Sequence, residues 1–376
     1  MKAVFLSEPG ELVISDVPTP SCEPGMVRIR IEAVGVCEDD LSAFLGNTEY
    51  QRYPIVPGRD AAGVVVETND AHTESGAERD TAGSCHTAFN RDSDGGRILS
   101  FAAARSGSIK VGDRVVILPR RIRTDADSKQ CDQRSREDHM SQLGFNVDGA
   151  LREFAVVPKE QCIVLPSEIP PREAVFIQSV CKAVSAIGTG GTEELDAVVI
   201  IGAGDVGIIA AQVAIQKGAK PIVIDPSEPR LQLARSLGVS HTVNPFACFA
   251  ADEVEWITGG DMADVVVDTT GDPNALAGSL QYAGPGGKVV LTRKPTTQAK
   301  ADLRFIVDRE LSVHAARRNY CDTATALNML AKGQVKVNSL ISTTLPLEAA
   351  PLIIPSIARN PDHYLRVVLE ATNGKA

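Results

Sequence analysis

The stretch 197–225, AVVIIGAGDVGIIAAQVAIQKGAKPIVID, decides the fold. Its first five residues form a continuous apolar run without alternation, the pattern of a strand covered on both faces of a parallel sheet. Gly202-Ala203-Gly204-Asp205-Val206-Gly207 follows directly, and a helix is expected from Asp205 to about Lys217. In a G-x-G-x-x-G between strand and helix, the first glycine permits the tight turn. The second lets a pyrophosphate approach the backbone, and the third lets helix and strand pack closely. The helix N-terminus then offers unpaired N–H groups and a positive dipole end to the phosphates. The next strand, Pro221–Ile224, ends in Asp225, whose carboxylate can accept both hydroxyls of an adenosine ribose and would repel a 2′-phosphate. Glycines alone could merely form a turn; strand, helix and terminal acid together point to NAD(H). Gly202, Gly204, Asp205, Val206, Gly207 and Asp225 are therefore the candidate cofactor residues.

Downstream, DVVVDTTG (264–271), GGKVVLTR (286–293) and ELSVHAA (310–316) supply further strands, so an α/β, doubly wound Rossmann sheet of about six strands is expected. Upstream, the first 165 residues read as β-rich, with short runs at Val27–Val34, Gly63–Glu67, Arg114–Leu118 and Leu151–Val157 between Gly, Pro and Asp turns. Two polar stretches, Asn69 to Ser108 and Pro119 to Gln142, lack apolar periodicity and read as long surface loops, the first partly disordered. The last 60 or so residues hold a helix (CDTATALNMLAKGQ) and a strand (HYLRVVLEA), read as a return to the first domain.

The bulk properties narrow the function classes. At 376 residues the chain suits two domains. Its 43% apolar and 23% charged residues and mean hydropathy of −0.02 are those of a soluble globular protein. A net charge of −10 and a pI near 5.2 argue against nucleic acid, which needs a basic footprint. No apolar run approaches the ~20 residues that span a bilayer, and no signal peptide is apparent at the N-terminus. The cytoplasm is the expected compartment. The eight cysteines, at 22, 37, 85, 131, 162, 181, 248 and 321, are scattered without a CxxC pair and read as free thiols.

At this point the chain resembles the medium-chain dehydrogenase/reductase family, the zinc alcohol, polyol and threonine dehydrogenases. The matching stretches are GVCEDDL (35–41), PIVPGRDAAGVVVE (54–67), KVGDRVV (110–116), LGFNVDGALREFAVVP (143–158), VVIIGAGDVG (198–207), PLEAAPLI and YLRVVLE. The resemblance implies a GroES-like substrate domain (1–165), a Rossmann domain (166–316) and a C-terminal return (317–376). It further implies that Arg230 lies by the adenosine ribose, that Thr269 to Gly271 lines the cofactor, that Arg366 faces the pyrophosphate, and that the chain forms a homodimer or homotetramer through the Rossmann sheet.

The chain departs from that family where zinc is normally held. The family's first catalytic ligand is retained as Cys37, but its Gly-His-Glu triplet is replaced by Gly58-Arg59-Asp60, and Gln178 stands at the third position. Zinc needs thiolate, neutral imidazole or carboxylate donors, and a guanidinium is none of these. Cys37 with Asp60 beside a fixed positive charge makes a poor site. The structural-zinc lobe holds only Cys131. Catalytic and structural zinc are both expected to be absent.

The candidate replacements follow from charge. Arg59 could stabilise developing negative charge on a substrate oxygen. Asp39 occupies the family's proton-relay position. Lys182, four residues after Gln178, shares its helical face and could act as an acid or base if desolvated. Equally, Arg59 could pair with Asp39, Asp40 or Asp60 in a structural cluster, with Cys37 a buried remnant, Asp40 architectural, and His241 and His314 packing residues. Three functions remain open. The first is a zinc-independent NAD(H)-dependent dehydrogenase of a polar secondary alcohol or ketone, of polyol, sugar or cyclitol type. The second is a zinc-free reductase of an activated C=C or iminium group. The third is a catalytically inactive NAD(H)-binding sensor or scaffold.

Overall fold

The computed structural model describes residues 1–48, 51–69, 109–119, 141–316 and 323–371. The two stretches read as long loops fall, apart from their ends, outside the described residues, as do Cys85, Cys131 and Cys321. The chain divides into two compact units, Met1–Val175 with Ile341–Ala376, and Phe176–Leu340.

The first unit begins with β1 (Lys2–Glu8) and β2 (Glu11–Asp16), an antiparallel pair. β3 (Met26–Val36) is the long central strand, and it runs into the short helix α1 (Glu38–Phe44). β4 (Asp60–Thr68), β5 (Arg114–Ile117), β6 (Phe154–Pro158), β7 (Cys162–Val164) and α2 (Pro171–Ala174) follow. Alternate residues of β3, including Val27, Ile29 and Ile31, turn into a core shared with Val65, Ile117 and Leu151, which is why the run alternates in sequence.

The second unit opens with α3 (Ile177–Gly190), which Gly191 ends in the left-handed region at φ 63°. Then come β8 (Ala197–Ile201), α4 (Asp205–Gln216), β9 (Lys220–Ile224), α5 (Glu228–Ser236), β10 (His241–Val243), α6 (Ala250–Ile257) and β11 (Ala263–Asp268). The rest of the unit holds α7 (Pro273–Tyr282), β12 (Ala283–Leu291), α8 (Arg304–Asp308), β13 (Ser312–Ala315) and α9 (Thr323–Ala331). Its six-stranded sheet runs β10-β9-β8-β11-β12-β13, every neighbouring pair parallel. The chain order therefore reverses between β8 and β11, and the glycine turn leaves the carboxyl end of β8 at that switch point, where ligands bind in open α/β sheets. Val198, Val199 and Ile200 are fully buried, in keeping with the unbroken apolar run.

The chain returns to the first unit as β14 (Ile341–Pro346), α10 (Ala350–Arg359) and β15 (Arg366–Glu370). The seven-stranded sheet there has the path β14-β15-β3-β4-β5-β7, with β6 pairing β3. Both crossings between units come later than the 165/166 and 316/317 positions that the resemblance implies. α2 packs on β3 and β4, and α9, read as part of the C-terminal return, packs on α3 of the second unit. The buried Ala326, Leu327 and Leu330 give α9 an apolar face that texture alone could not assign to either core. His314, expected to pack, is exposed on the edge strand β13.

Candidate functional site

In the second unit, backbone geometry explains each motif glycine. Gly202 has φ +97°, and an added Cβ there would lie 2.7 Å from Thr269 Oγ1. A Cβ on Gly207 would come within 1.8 Å of the Gly202 carbonyl oxygen. Gly204 differs: a Cβ there meets nothing within 4 Å, so this residue borders open space at the helix start, where a phosphate could approach. Asp225 ties the turn to the end of β9. Its Oδ2 accepts from the Ala203 N–H at 2.7 Å and its Oδ1 from the Ser227 N–H at 2.8 Å. The Thr269 hydroxyl donates to the Ile201 carbonyl at 2.8 Å, bracing the turn from β11. Arg230 lies on α5, just beyond Asp225. These residues fit a dinucleotide: a side-chain-free approach, a helix N-terminus and a carboxylate at the second strand's end.

In the first unit, strand register gathers the charged candidates. β3 pairs β15 with Val36 opposite Val367, and pairs β4 with Gly35 opposite Asp60. Cys37, Asp60 and Arg366 thus converge at one end of three adjacent strands. Packing is tight at Gly35, where a Cβ would sit 3.1 Å from Val175 Cβ and 3.3 Å from Arg366 Nη1. Arg366 Nη1 donates to Asp60 Oδ2 at 2.8 Å, with both side chains buried. Cys37 caps α1, and Asp40 reaches back from the first turn to accept from the Cys37 N–H at 3.0 Å and its Sγ at 3.1 Å. The other Asp40 oxygen accepts from the Gly58 N–H at 3.0 Å. Arg59 is 7% exposed; its Nη1 donates to Asp39 Oδ2, and its Cζ stands 4.6 Å from the centre of the Phe145 ring. The Nε of Arg59 is buried without a hydrogen-bond partner.

The electrostatics are consistent with this arrangement. Burial pushes the Cys37 thiol well above its usual range, and the nearby Asp40, Asp60 and Asp39 push it further, against Arg366. Burial also raises Asp40, despite the hydrogen bonds that favour its charge. For Arg59 burial works against the charge, but the acidic groups around it, Asp39 foremost, prevail and raise its pKa. One thiol and a carboxylate already taken by Arg366, beside the guanidinium of Arg59, do not match the donor set zinc requires. Among the described residues, no group of three or more His, Cys, Asp or Glu side chains could hold a metal ion.

Two family models match this chain: an alcohol dehydrogenase GroES-like domain over 23–90, and a zinc-binding dehydrogenase domain over 206–332. The chain belongs to the medium-chain, zinc-type alcohol dehydrogenase family. L-threonine 3-dehydrogenase of Pyrococcus furiosus is 29% identical over 91% of this chain and 90% of its own. Among solved structures, galactitol-1-phosphate dehydrogenase of Escherichia coli superposes with a TM-score of 0.82 at 23% identity, covering 98% and 100% of the two chains. An E. coli CFT073 alcohol dehydrogenase, rspB, solved with NADH, gives 0.79 at 23% identity over 98% and 99%. The α/β fold, a GroES-like β domain with a six-stranded parallel Rossmann sheet, is thereby shown.

Within this family member, the two units hold the sequence-selected residues as follows. In the first unit Cys37, Asp39, Asp40, Arg59, Asp60 and Arg366 make three side-chain pairs, Cys37 with Asp40, Arg59 with Asp39 and Arg366 with Asp60, and Asp40 also accepts from the Gly58 N–H next to Arg59. Gly202, Gly204, Asp205, Val206, Gly207, Asp225 and Thr269 cluster around the turn in the second. Lys182, a candidate acid or base if desolvated, is exposed on α3. Arg366, expected at the pyrophosphate, has its Nη1 on Asp60. Phe145 and Ser179 were not selected from sequence. Phe145 lies in the matched stretch LGFNVDGALREFAVVP, but its contact with Arg59 follows from the fold rather than from spacing.

Proposed function

We propose that the chain is an NAD(H)-dependent dehydrogenase that works without zinc and interconverts a secondary alcohol and ketone on a polar metabolite of polyol, sugar or cyclitol type. The observation that carries this reading is the buried, charged Arg59 held by Asp39 and Phe145 at the position of a metal ligand. Gly202, Gly204, Gly207, Asp225, Arg230 and Thr269 would hold the cofactor, with Asp225 selecting NAD(H) over its 2′-phosphorylated form. When bound, NAD+ supplies the hydride acceptor at nicotinamide C4. Asp39, whose side chain is half exposed, takes the proton leaving the substrate hydroxyl and passes it to solvent. Arg59 supplies a permanent positive charge toward the oxygen as it becomes negative, the task a metal performs elsewhere. The many charges of the cluster favour a polar substrate.

Metal analysis of protein purified without chelator, with turnover on a panel of alcohols and ketones, tests this reading. Less than one-tenth of a zinc per chain with full activity is the expected result; a stoichiometric zinc whose removal abolishes turnover would overturn it. One observation favours the sensor or scaffold reading: the acidic and basic groups of the cluster pair largely with one another. NADH binding with no turnover across the panel would select it. Turnover only on enones or iminium compounds would select the reductase reading.

The exposed edge strand β13 makes a homodimer or homotetramer through the Rossmann sheet part of the proposal, checked by light scattering. The free thiols of Cys22, Cys37, Cys162, Cys181 and Cys248 fit a reducing, cytoplasmic setting. No helix among the described residues is long and apolar enough to cross a membrane.

A further inference from the structure

The glycine turn carries an acid at the place where an anion should bind. Asp205 is the first residue of α4, immediately after the N-cap Gly204, and is partly exposed. The first hydrogen bond within the helix runs from the Ile208 N–H to the Gly204 carbonyl at 2.9 Å. The N–H groups of Asp205, Val206 and Gly207 therefore lie ahead of the ladder and point out of the helix end. Asp205 Oδ1 accepts the Val206 N–H at 2.7 Å. Its other oxygen, Oδ2, accepts from the Ser179 hydroxyl at 2.8 Å, and Ser179 is 3% exposed on α3. The carboxylate is thus fixed from the core side while it occupies a helix-terminal donor and adds negative charge to the positive end of the dipole.

We propose that Asp205 is an internal competitor of the cofactor pyrophosphate, held in place by Ser179, which weakens NAD(H) binding and sets how readily the dinucleotide leaves. The inference rests on the dinucleotide reading of the turn. The charged pyrophosphate and the Asp205 carboxylate seek the same donor and the same field, so binding requires the carboxylate to leave the Val206 N–H and two like charges to approach. Removing the charge removes the repulsion and weakens the hold on the Val206 N–H, which an amide oxygen accepts less strongly than a carboxylate. Asp205→Asn keeps the shape and loses the charge, whereas Asp205→Glu keeps the charge. Ser179→Ala removes the core-side tether alone.

The test is calorimetric titration of the full chain and these variants with NADH, ADP and adenosine, alongside thermal unfolding. Asp205→Asn is expected to bind NADH and ADP roughly tenfold more tightly, with adenosine, which lacks phosphates, unchanged. Ser179→Ala should move the same way by a smaller factor, and Asp205→Glu should stay near the parent. A helix-stabilising role alone would lower the melting temperature of Asp205→Asn without tightening either phosphate ligand, and that result overturns the proposal. Asp205→Ala, which removes the charge and the acceptor together, should bind NADH and ADP at least as tightly as Asp205→Asn, and it keeps the comparison open if one variant folds poorly. A parent chain that binds neither NADH nor ADP would instead refute the dinucleotide reading itself.

Discussion

The turn after β8 and the end of the β3, β4 and β15 strands are built on opposite plans. At the turn, atoms are missing: Gly202 and Gly207 have no room for a side chain, and Gly204 faces open space. At the strand end, side chains crowd together. Asp40 spans Cys37 and Gly58, Arg59 spans Asp39 and Phe145, and Arg366 closes on Asp60. A site made by leaving atoms out admits a large, invariant ligand and tolerates little change. A site made of paired charges can be rewritten one pair at a time, and its contents decide the reaction.

The largest effect is expected from Gly207→Ala. Its Cβ would meet the Gly202 carbonyl at 1.8 Å, so helix and strand must separate. A stability loss of about 3 kcal/mol and a drop in NADH affinity of at least roughly a hundredfold are expected by denaturation and titration. An alanine at 207 that bound NADH normally would break the contrast at its stricter side.

Next is Arg59→Ala, which removes a partly buried charge-assisted hydrogen bond and is expected to cost about 1 kcal/mol of stability and about a hundredfold in kcat. Arg59→Lys should recover part of kcat, since it keeps the charge without the planar fork. Reduced stability with unchanged kcat would make the cluster purely architectural.

Asp225→Asn comes third. The ratio of NADPH to NADH dissociation constants should shrink by about tenfold, because a neutral amide no longer repels a 2′-phosphate. The loss should remain partial, as the amide can still accept from Ala203 or Ser227.

The smallest effect concerns alkaline stability. The folded state raises the Cys37 pKa above the ordinary 9.0, so it binds that proton more tightly than the unfolded chain. The stability this contributes is complete below pH 9 and is lost as pH rises from there toward the folded value. Cys37→Ser should flatten that part of the pH–stability curve, and Cys37 should alkylate far more slowly than the exposed Cys248 at pH 8. Rapid alkylation of Cys37 would mean the thiol is not held protonated.

The two regions also differ in how far sequence could reach them. The turn was legible because its constraints lie within six consecutive residues, and the buried strands β8 and β11 because parallel strands with both faces covered read as unbroken apolar runs. Cys37, Asp39 and Arg59 could be picked out by residue type at family positions. Their pairing could not. Asp60 and Arg366 are 306 residues apart, and only the register of β15 on β3 and of β3 on β4 brings them together. The Ser179 hydroxyl met Asp205 for a similar reason, through α3 packing on α4. Helix α9 falls in the second unit rather than in the C-terminal return, because its apolar face fits either core as a pattern and only one as a shape.

The loop that presents Arg59 is fixed by backbone rather than by Arg59. Gly58 holds φ +98° with no room for a Cβ against the Leu151 N–H, and Gly149 lies so close beneath that a Cβ would come 2.4 Å from the Gly58 oxygen. Position 59 is in effect a socket: whatever side chain is written there is delivered from the same point and in the same direction. New chemistry can therefore be installed by exchanging one residue and its partner at 39, while the strands that carry them stay as they are.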